Sequence, residues 1–423
     1  MAIQNNFPNI RPTLNLNFAL SKRVDPRITF VRSTTATYFD QDGILQTAAA
    51  NQGRITFDPA TLDCQGLLIE EQRTNSIRNN TMQGAVAGTP GTAPTNWVQI
   101  LPSSGTFTRE IIGTGTESGI NYIDVRYTGT PGASTNYQFY QEGFSSVAAL
   151  SGQTWTGSFY AKLVAGTFAG TSASQLVVYE RDSGGGFLAG GSTNITPTSA
   201  ALNTQRYFHT RTLTNASTAF VQSGLLIQFT GVAIDITLRI GLPQLEQGAF
   251  ATSVIPTTTT ALTRNADVAS MTGTNFSSWY NASEGTLFTS AAGVANVSGA
   301  TRRYAEINDS GSLERIIVGY SGTTSTRLLV QDGGATQADI AVTTPSVENV
   351  IKMAAVYKTN DFQQASNGNL GLADTSGTLP TVDRMFIGSA DGSTANTFLN
   401  GTIQRIAYYP VRVTDAQLQA LTG

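Results

Sequence analysis

In Val232–Ile240 every second residue is aliphatic: Val232, Ile234, Ile236, Leu238 and Ile240 alternate with Ala233, Asp235, Thr237 and Arg239. A period of two places the two sets on opposite faces of an extended strand. A polar set on one face marks an antiparallel sheet with one side solvated. Trp155–Leu163 follows the same rule, with Trp155, Phe159, Ala161 and Leu163 on one face and Thr156, Ser158, Tyr160 and Lys162 on the other. Loops rich in Gly, Ser, Thr and Asn, such as Asp182–Asn194, separate the segments. Several short strands spaced in this way predict an all-β chain built of sandwiches.

At 423 residues the chain exceeds one ordinary core, so two or three domains are expected. Charged residues make up only 13%, so Thr, Ser, Asn, Gln and the 42 glycines must carry the polar surface, which suits strands and tight turns. A net charge of -3 builds no basic field of the kind nucleic acids require. Lysine is confined to Lys22, Lys162, Lys352 and Lys358. Arginine therefore supplies most of the positive charge, and its forked guanidinium suits carboxylates and subunit interfaces. Cys64 stands alone, so no intrachain disulfide can form. Ala2–Asn15 is polar and broken by Pro8 and Pro12, unlike a signal peptide, and no apolar run approaches the ~20 residues of a membrane helix. The expectation is a soluble protein made in a cytoplasm, without membrane insertion.

Four stretches follow from pattern and composition. Residues 1–78 form a leader of short strands and hairpins, too poor in apolar residues for its own core. Residues 79–256 carry the clearest strands, 257–272 form a linker marked by the composition of Pro256-Thr-Thr-Thr-Thr-Ala261, and 273–423 form a second β-domain. Strands are expected at Glu284–Phe288, Arg315–Tyr320, Arg327–Gln331, Ile351–Tyr357, Met385–Ile387 and Thr402–Tyr409. Asn367-Gly368 and Asp391-Gly392 supply turns, and Thr414 with Gln417 forms a capping box for a last short helix. Leu262-Thr-Arg-Asn-Ala-Asp267 echoes Val31-Arg-Ser-Thr-Thr-Ala36, and the two stretches are expected to lie close together.

Reactive chemistry is thinly marked. His209 is the only histidine, and no Gly-x-Ser-x-Gly elbow accompanies it, so a hydrogen-bonded sheet residue is expected. Glu306-Ile-Asn-Asp309 lacks the further carboxylates of a glycosidase strand and reads as turn and surface. Asp40-Gln-Asp-Gly43 opens like a calcium loop, but Ile44 and Leu45 stand where oxygen ligands belong, so it reads as a hairpin turn. No cofactor is expected. Calcium on Asp332, Asp339, Asp383 or Asp391 stays open, whereas zinc has too few ligands. Asp182-Ser-Gly-Gly-Gly186 lacks the Lys-Ser/Thr ending of a phosphate loop.

Leu67-Leu-Ile-Glu-Glu-Gln-Arg-Thr-Asn75, preceded by Phe30-Val-Arg-Ser-Thr-Thr-Ala-Thr-Tyr-Phe-Asp40 and followed by Pro243-Gln-Leu-Glu246, Leu399-Asn-Gly-Thr-Ile403 and Tyr408-Tyr-Pro410, resembles bacteriophage and prophage virion appendages. These are tail fibres or capsid decorations. The resemblance implies a leader, a jelly roll like a carbohydrate-binding module at 79–256, and a laminin-G or concanavalin-like sandwich at 273–423. It further implies a non-enzymatic virion protein, assembled in the host cytoplasm, often as a homotrimer, with capsid or tail proteins and a host surface glycan as partners. A purely structural decoration or connector and a polysaccharide depolymerase are the alternatives. For glycan contact Tyr137, Tyr140 and Tyr160 are the surface candidates, the first two flanking a loop and the third pointing outward. Trp97, Trp155 and Trp279 read as structural. Glu70, Glu71 and Arg73 are expected to form an ion network that holds the leader to the jelly roll or to a neighbour.

Overall fold

Both alternating segments become strands over most of their length. The computed structural model describes residues 7–294, 301–392, 394 and 396–423. Among the described residues helix is limited to short pieces, Phe18–Ser21, Thr274–Ser277 and Asp415–Thr422, plus one 3₁₀ turn. The last helix starts at the expected box, where Gln417 N donates to Thr414 Oγ1 at 3.3 Å and Thr414 N to Gln417 Oε1 at 2.9 Å. Asn367 (φ 45°) and Gly368 (φ 80°) make a two-residue turn between Asp361–Ser366 and Asn369–Leu370. Both residues need φ > 0, which Asn-Gly accepts at least cost.

The jelly roll stacks two five-stranded antiparallel sheets. One has Thr154–Gly166 and Ile234–Gln247 at its centre, flanked by Arg206–Thr212 and by Ile120–Gly129 with Thr108–Glu117. The other runs Phe187–Asn194, Thr171–Arg181, Phe220–Phe229, Asn136–Tyr140, Val98–Ile100. Ile234, Ile236, Leu238 and Ile240 enter the core between them together with Trp155, Phe159, Leu176, Leu225 and Ile227. Val232 lies outside the strand and is exposed.

The C-terminal sandwich joins an eight-stranded and a seven-stranded sheet. All six strands expected in this domain form, each within one to four residues of the expected ends. The leader has no core of its own; its strands complete this sandwich. Leu14–Asn17 pairs along Gly401–Tyr409, Cys64–Ile69 extends the same sheet through Gly401–Ile403, and Arg54–Phe57 closes its edge. Thr29–Val31 edges the opposite sheet beside Val268–Thr272. Leu14, Leu16, Phe18, Leu67 and Ile69 thus lie in one cluster with Leu287, Tyr357 and Tyr408.

Meanwhile the hairpin Ala36–Phe39 with Leu45–Ala48 lies against the jelly roll. Phe39 and Leu45 pack on Ile120, Tyr160, Leu202, Leu242 and Val254. Leu45 N donates to Ser118 O at 2.9 Å, and Asn203 Nδ2 to Gly43 O at 2.7 Å. The leader therefore ties both domains together.

At the joint sits a buried ion network. Asp267 accepts from Arg32 Nη1 at 2.8 Å and from the Glu70 backbone N–H at 2.9 Å, and it pairs with Arg54. Arg54 reaches Glu70 Oε2 at 2.8 Å, and Arg264 reaches it at 3.2 Å. All five residues are at most 5% exposed. The two Arg-centred stretches therefore meet, with Val268 opposite Val31. Burying charges is costly, but removing one partner of a buried set leaves the others without compensation, at about 3–5 kcal/mol. We expect Asp267→Ala to lose stability of that order in urea unfolding, while Asp339→Ala, a solvent-facing partner of Arg327, shifts the midpoint little. Equal effects of the two would refute the assignment.

Candidate functional site

Leu67–Asn75 runs from the C-terminal sandwich to the jelly roll, and beside its last residues a cleft of about 520 Å³ opens between the domains. Strand Arg73–Asn75 supplies one side. The end of the long jelly-roll strand and its following turn, Gln247–Phe250, supply another, and Trp155 and Arg302 complete it. Domain junctions are favoured places for ligand sites because two rigid bodies form the walls.

Arg73 organises the floor. Its guanidinium lies 4.9 Å from the Phe250 ring centroid, pairs with Glu71, and lies 3.6 Å from Glu246 Oε2. Gly248 makes this possible, because a Cβ there would fall 2.3 Å from Arg73 Nη2. Arg302 is 1% exposed; its Nη1 donates to Phe398 O at 2.8 Å and lies 3.4 Å from Glu71 Oε2. Among the described residues its Nε and Nη2 are enclosed and have no hydrogen-bond partner. An enclosed donor left unpaired costs roughly 1–3 kcal/mol. Exposed Gln247 and the half-buried Thr74, Ser76 and Thr154 add hydrogen-bonding groups at the rim.

Other concavities are less provided for. A groove of about 680 Å³ in the leader has Lys22, Asp25, Tyr38, Asp40 and Phe57 in its walls. There Asp25 is held by Arg27, and Asp40 by its own turn and Gln46. None of its lining side chains carries an enclosed unpartnered polar atom. A smaller cleft of about 390 Å³ holds Glu306. That residue, expected at the surface, is 1% exposed, because Arg303 Nε donates to it at 2.8 Å and Asn308 Nδ2 at 3.2 Å. Asp309 holds a turn, accepting from Gly311 N.

The three tyrosines expected at the surface are instead buried: Tyr137 and Tyr140 are 0% exposed and Tyr160 2%. Tyr137 points into the jelly-roll core against Phe107 and Tyr127, its hydroxyl bonding Gln99. Tyr140 does lie on the outer sheet face, but Phe144 and Arg181 cover it. Tyr160 points outward from its sheet, and the leader hairpin with Leu202 and Val254 closes over it. Burial pushes all three phenols above their ordinary pKa. The three tryptophans are core residues.

His209 accepts or donates one bond, to Thr193 Oγ1 at 3.0 Å, across the seam between edge strands Arg206–Thr212 and Phe187–Asn194. Among the described residues no three His, Cys, Asp or Glu side chains gather in a way that could hold a metal. Asp339 and Asp383 pair with Arg327 and Arg384, Asp332 binds Thr378, and Asp391 accepts from Thr394. Asp40 and Asp182 cap tight turns.

Glu70, Glu71 and Arg73 are all engaged in ion pairs at the joint. Arg73 reaches Glu246 of the jelly roll, and Ser253 donates to Glu70 through N at 2.7 Å and Oγ at 2.6 Å. Leu399–Ile403 and Pro243–Glu246 serve the same joint. Asn400 Oδ1 accepts from Glu71 N at 2.8 Å, and its Nδ2 reaches Glu71 Oε2 at 3.0 Å. Gln244 and Glu246 bind each other and the 252–255 backbone. Sequence pattern did not single out Gln247, Phe250 or Arg302, which belong to no motif and converge only on folding.

No family model matches the chain, and no curated protein matches it. Some solved structures overlap it in part. The Ruminococcus gnavus IT-sialidase CBM40 bound to α2,3-sialyllactose is 15% identical, covers 34% of this chain and 84% of its own, and gives a TM-score of 0.30. Trypanosoma rangeli sialidase is 9% identical over 75% of this chain and 66% of its own, at 0.28. Mouse laminin α1 domains LG4-5 are 11% identical over 64% and 86%, at 0.22.

Burial raises the Glu70 carboxyl, but Arg264, Arg54 and Ser253 outweigh it and hold the pKa at about 2, against 4.5 unperturbed. A folded-state value below the unfolded one means that the stabilisation is complete above pH 4.5 and is lost as pH falls towards 2. About 3 kcal/mol is at stake at roughly 1.4 kcal/mol per unit. Glu70→Gln should therefore be less stable than the native chain at pH 7, with the gap closing between pH 4.5 and 2 in acid titrations followed by circular dichroism. A gap independent of pH would contradict this.

Proposed function

We propose that this chain is a glycan-binding adhesion protein of the virion-appendage kind, and that the inter-domain cleft is a sugar site. The observation that carries the reading is the lining of the cleft, where exposed Gln247 stands with half-buried Thr74 and Thr154. Sugar hydroxyls bond such groups. Phe250 and Trp155 give the walls apolar surface. Glu71 and Glu246 are both engaged by arginine, an arrangement that suits anchoring better than proton donation.

A shallow polar site of this kind gives modest affinity. Repetition of the chain on a particle, as a homotrimer or in many copies, would supply avidity by raising the effective concentration of the second site. Contacts with capsid or tail proteins belong to the same reading, as does a place on the assembled virion. The resemblance of Leu67–Asn75 and its companion motifs to phage appendages supports that placement.

Binding of the purified chain to host-surface polysaccharides, measured on a glycan array and by calorimetry, tests this reading. Gln247→Ala should weaken binding about fivefold, the worth of one hydrogen bond of ~1 kcal/mol. Ser76→Trp should fill the cleft and reduce binding at least tenfold while the melting temperature holds. Undiminished binding in both variants would remove the cleft from the reading. Release of reducing ends from the polysaccharide would replace adhesion by hydrolysis.

A further inference from the structure

Arg181 ends the jelly-roll strand Thr171–Arg181 on the outer face of its sheet, away from the inter-domain cleft. It is 6% exposed, yet no carboxylate pairs with it among the described residues. The nearby acids are occupied. Glu142 takes Arg78 through both oxygens at 2.8 Å, Glu180 faces the other way to Arg211 and Thr218, and Asp182 caps its own glycine turn. In their place four aromatic rings surround the guanidinium: Phe144 at 4.8 Å, Tyr140 at 5.4 Å, and Tyr179 and Phe187 at 5.9 Å.

Nε and Nη2 both donate to one neutral acceptor, Gln222 Oε1, at 3.0 and 2.7 Å. Gln222 is itself fixed by donating to the Glu142 carbonyl at 2.8 Å. This clamp sets the plane of the guanidinium. Among the described residues Nη1 makes no hydrogen bond within 3.5 Å, and it is not enclosed. Phe187 is 57% exposed, and Gly190 beneath Tyr179 leaves the ring room to lie on the sheet, since a Cβ there would meet it at 2.3 Å. Ring faces offset part of the cost of holding a desolvated cation, and a charge-assisted bond to an anion would offset more.

We infer that Arg181 with Phe187 and Tyr179 forms a second glycan subsite, selective for a carboxylate-bearing sugar. The carboxylate accepts from Nη1, and the C–H face of the ring stacks on Phe187. This rests on the glycan-binding reading above and adds the charge class of the ligand.

The probes are an oligoglucuronate and its carboxyl-reduced neutral counterpart, titrated into the full chain and followed by saturation-transfer NMR and calorimetry. The native chain should favour the acid at least tenfold, and the preference should fall as salt rises. Arg181→Gln should abolish the preference. Phe187→Ala, an exposed change that leaves the core untouched, should weaken acid binding about fivefold and thus tests the site even if the arginine variant misfolds. Ser76→Trp should leave the preference intact. Equal binding of both probes by the native chain, or a preference that survives both Arg181→Gln and Phe187→Ala, overturns the subsite while leaving the cleft standing. Failure to bind either probe or any array glycan overturns both.

Discussion

Asp267 holds the architecture at its narrowest point. One carboxylate, 0% exposed, faces two guanidinium groups from separate parts of the leader and a backbone N–H from a third. Glu70 repeats the arrangement with Arg54 and Arg264. Three cations and two anions thus leave the joint with one surplus positive charge. Carbonyl oxygens of Thr34, Thr37, Ala49 and Glu71 share it by accepting from Arg32, Arg54 and Arg264. A set of this kind tolerates one geometry. It fixes how leader, jelly roll and C-terminal sandwich meet more than it adds net stability, since the desolvation of five charges offsets most of their attraction.

The same joint explains why the most recognisable stretches of sequence turn most of their polar groups inward. Leu67–Asn75, Pro243–Glu246 and Leu399–Ile403 lie far apart in the chain and touch in space. Asn75 Nδ2 donates to the carbonyls of Pro243 and Ile255, and Asn400 clasps Glu71 through backbone and side chain. Buried amides and carboxylates have few ways to satisfy every donor and acceptor. A pattern that satisfies them is therefore narrow, and it reads clearly as a pattern. The adjoining cleft uses Gln247, Phe250 and Arg302, which answer to no such constraint and follow no spacing.

Coverage of the sheets has a further consequence. Two bare sheets would leave both outer faces of the jelly roll wet. Here the leader hairpin covers part of one through Phe39 and Leu45, and the turn carrying Phe144 covers part of the other. Tyr140 and Tyr160 are enclosed by these additions. The aromatic surface still open on the second sheet is the rim of the Arg181 cage, with Phe187 projecting from the edge strand.

Local pattern by itself determined the all-β class, strand over Trp155–Leu163 and most of Val232–Ile240, the Asn367-Gly368 turn and the Thr414 capping box, because each depends on neighbours within a few residues. The likeness of Val31–Ala36 to Leu262–Asp267 even placed two distant stretches together, and Arg32 of the first meets Asp267 of the second. Tertiary structure alone decided which polar faces stay wet. Alternation assigns Tyr160 to an outer face but cannot say that Val254, ninety-odd residues later, lies across it. Nor can local pattern give Arg302 its two unmet donors or Arg181 its missing carboxylate, because both conditions are set by what distant segments fail to bring.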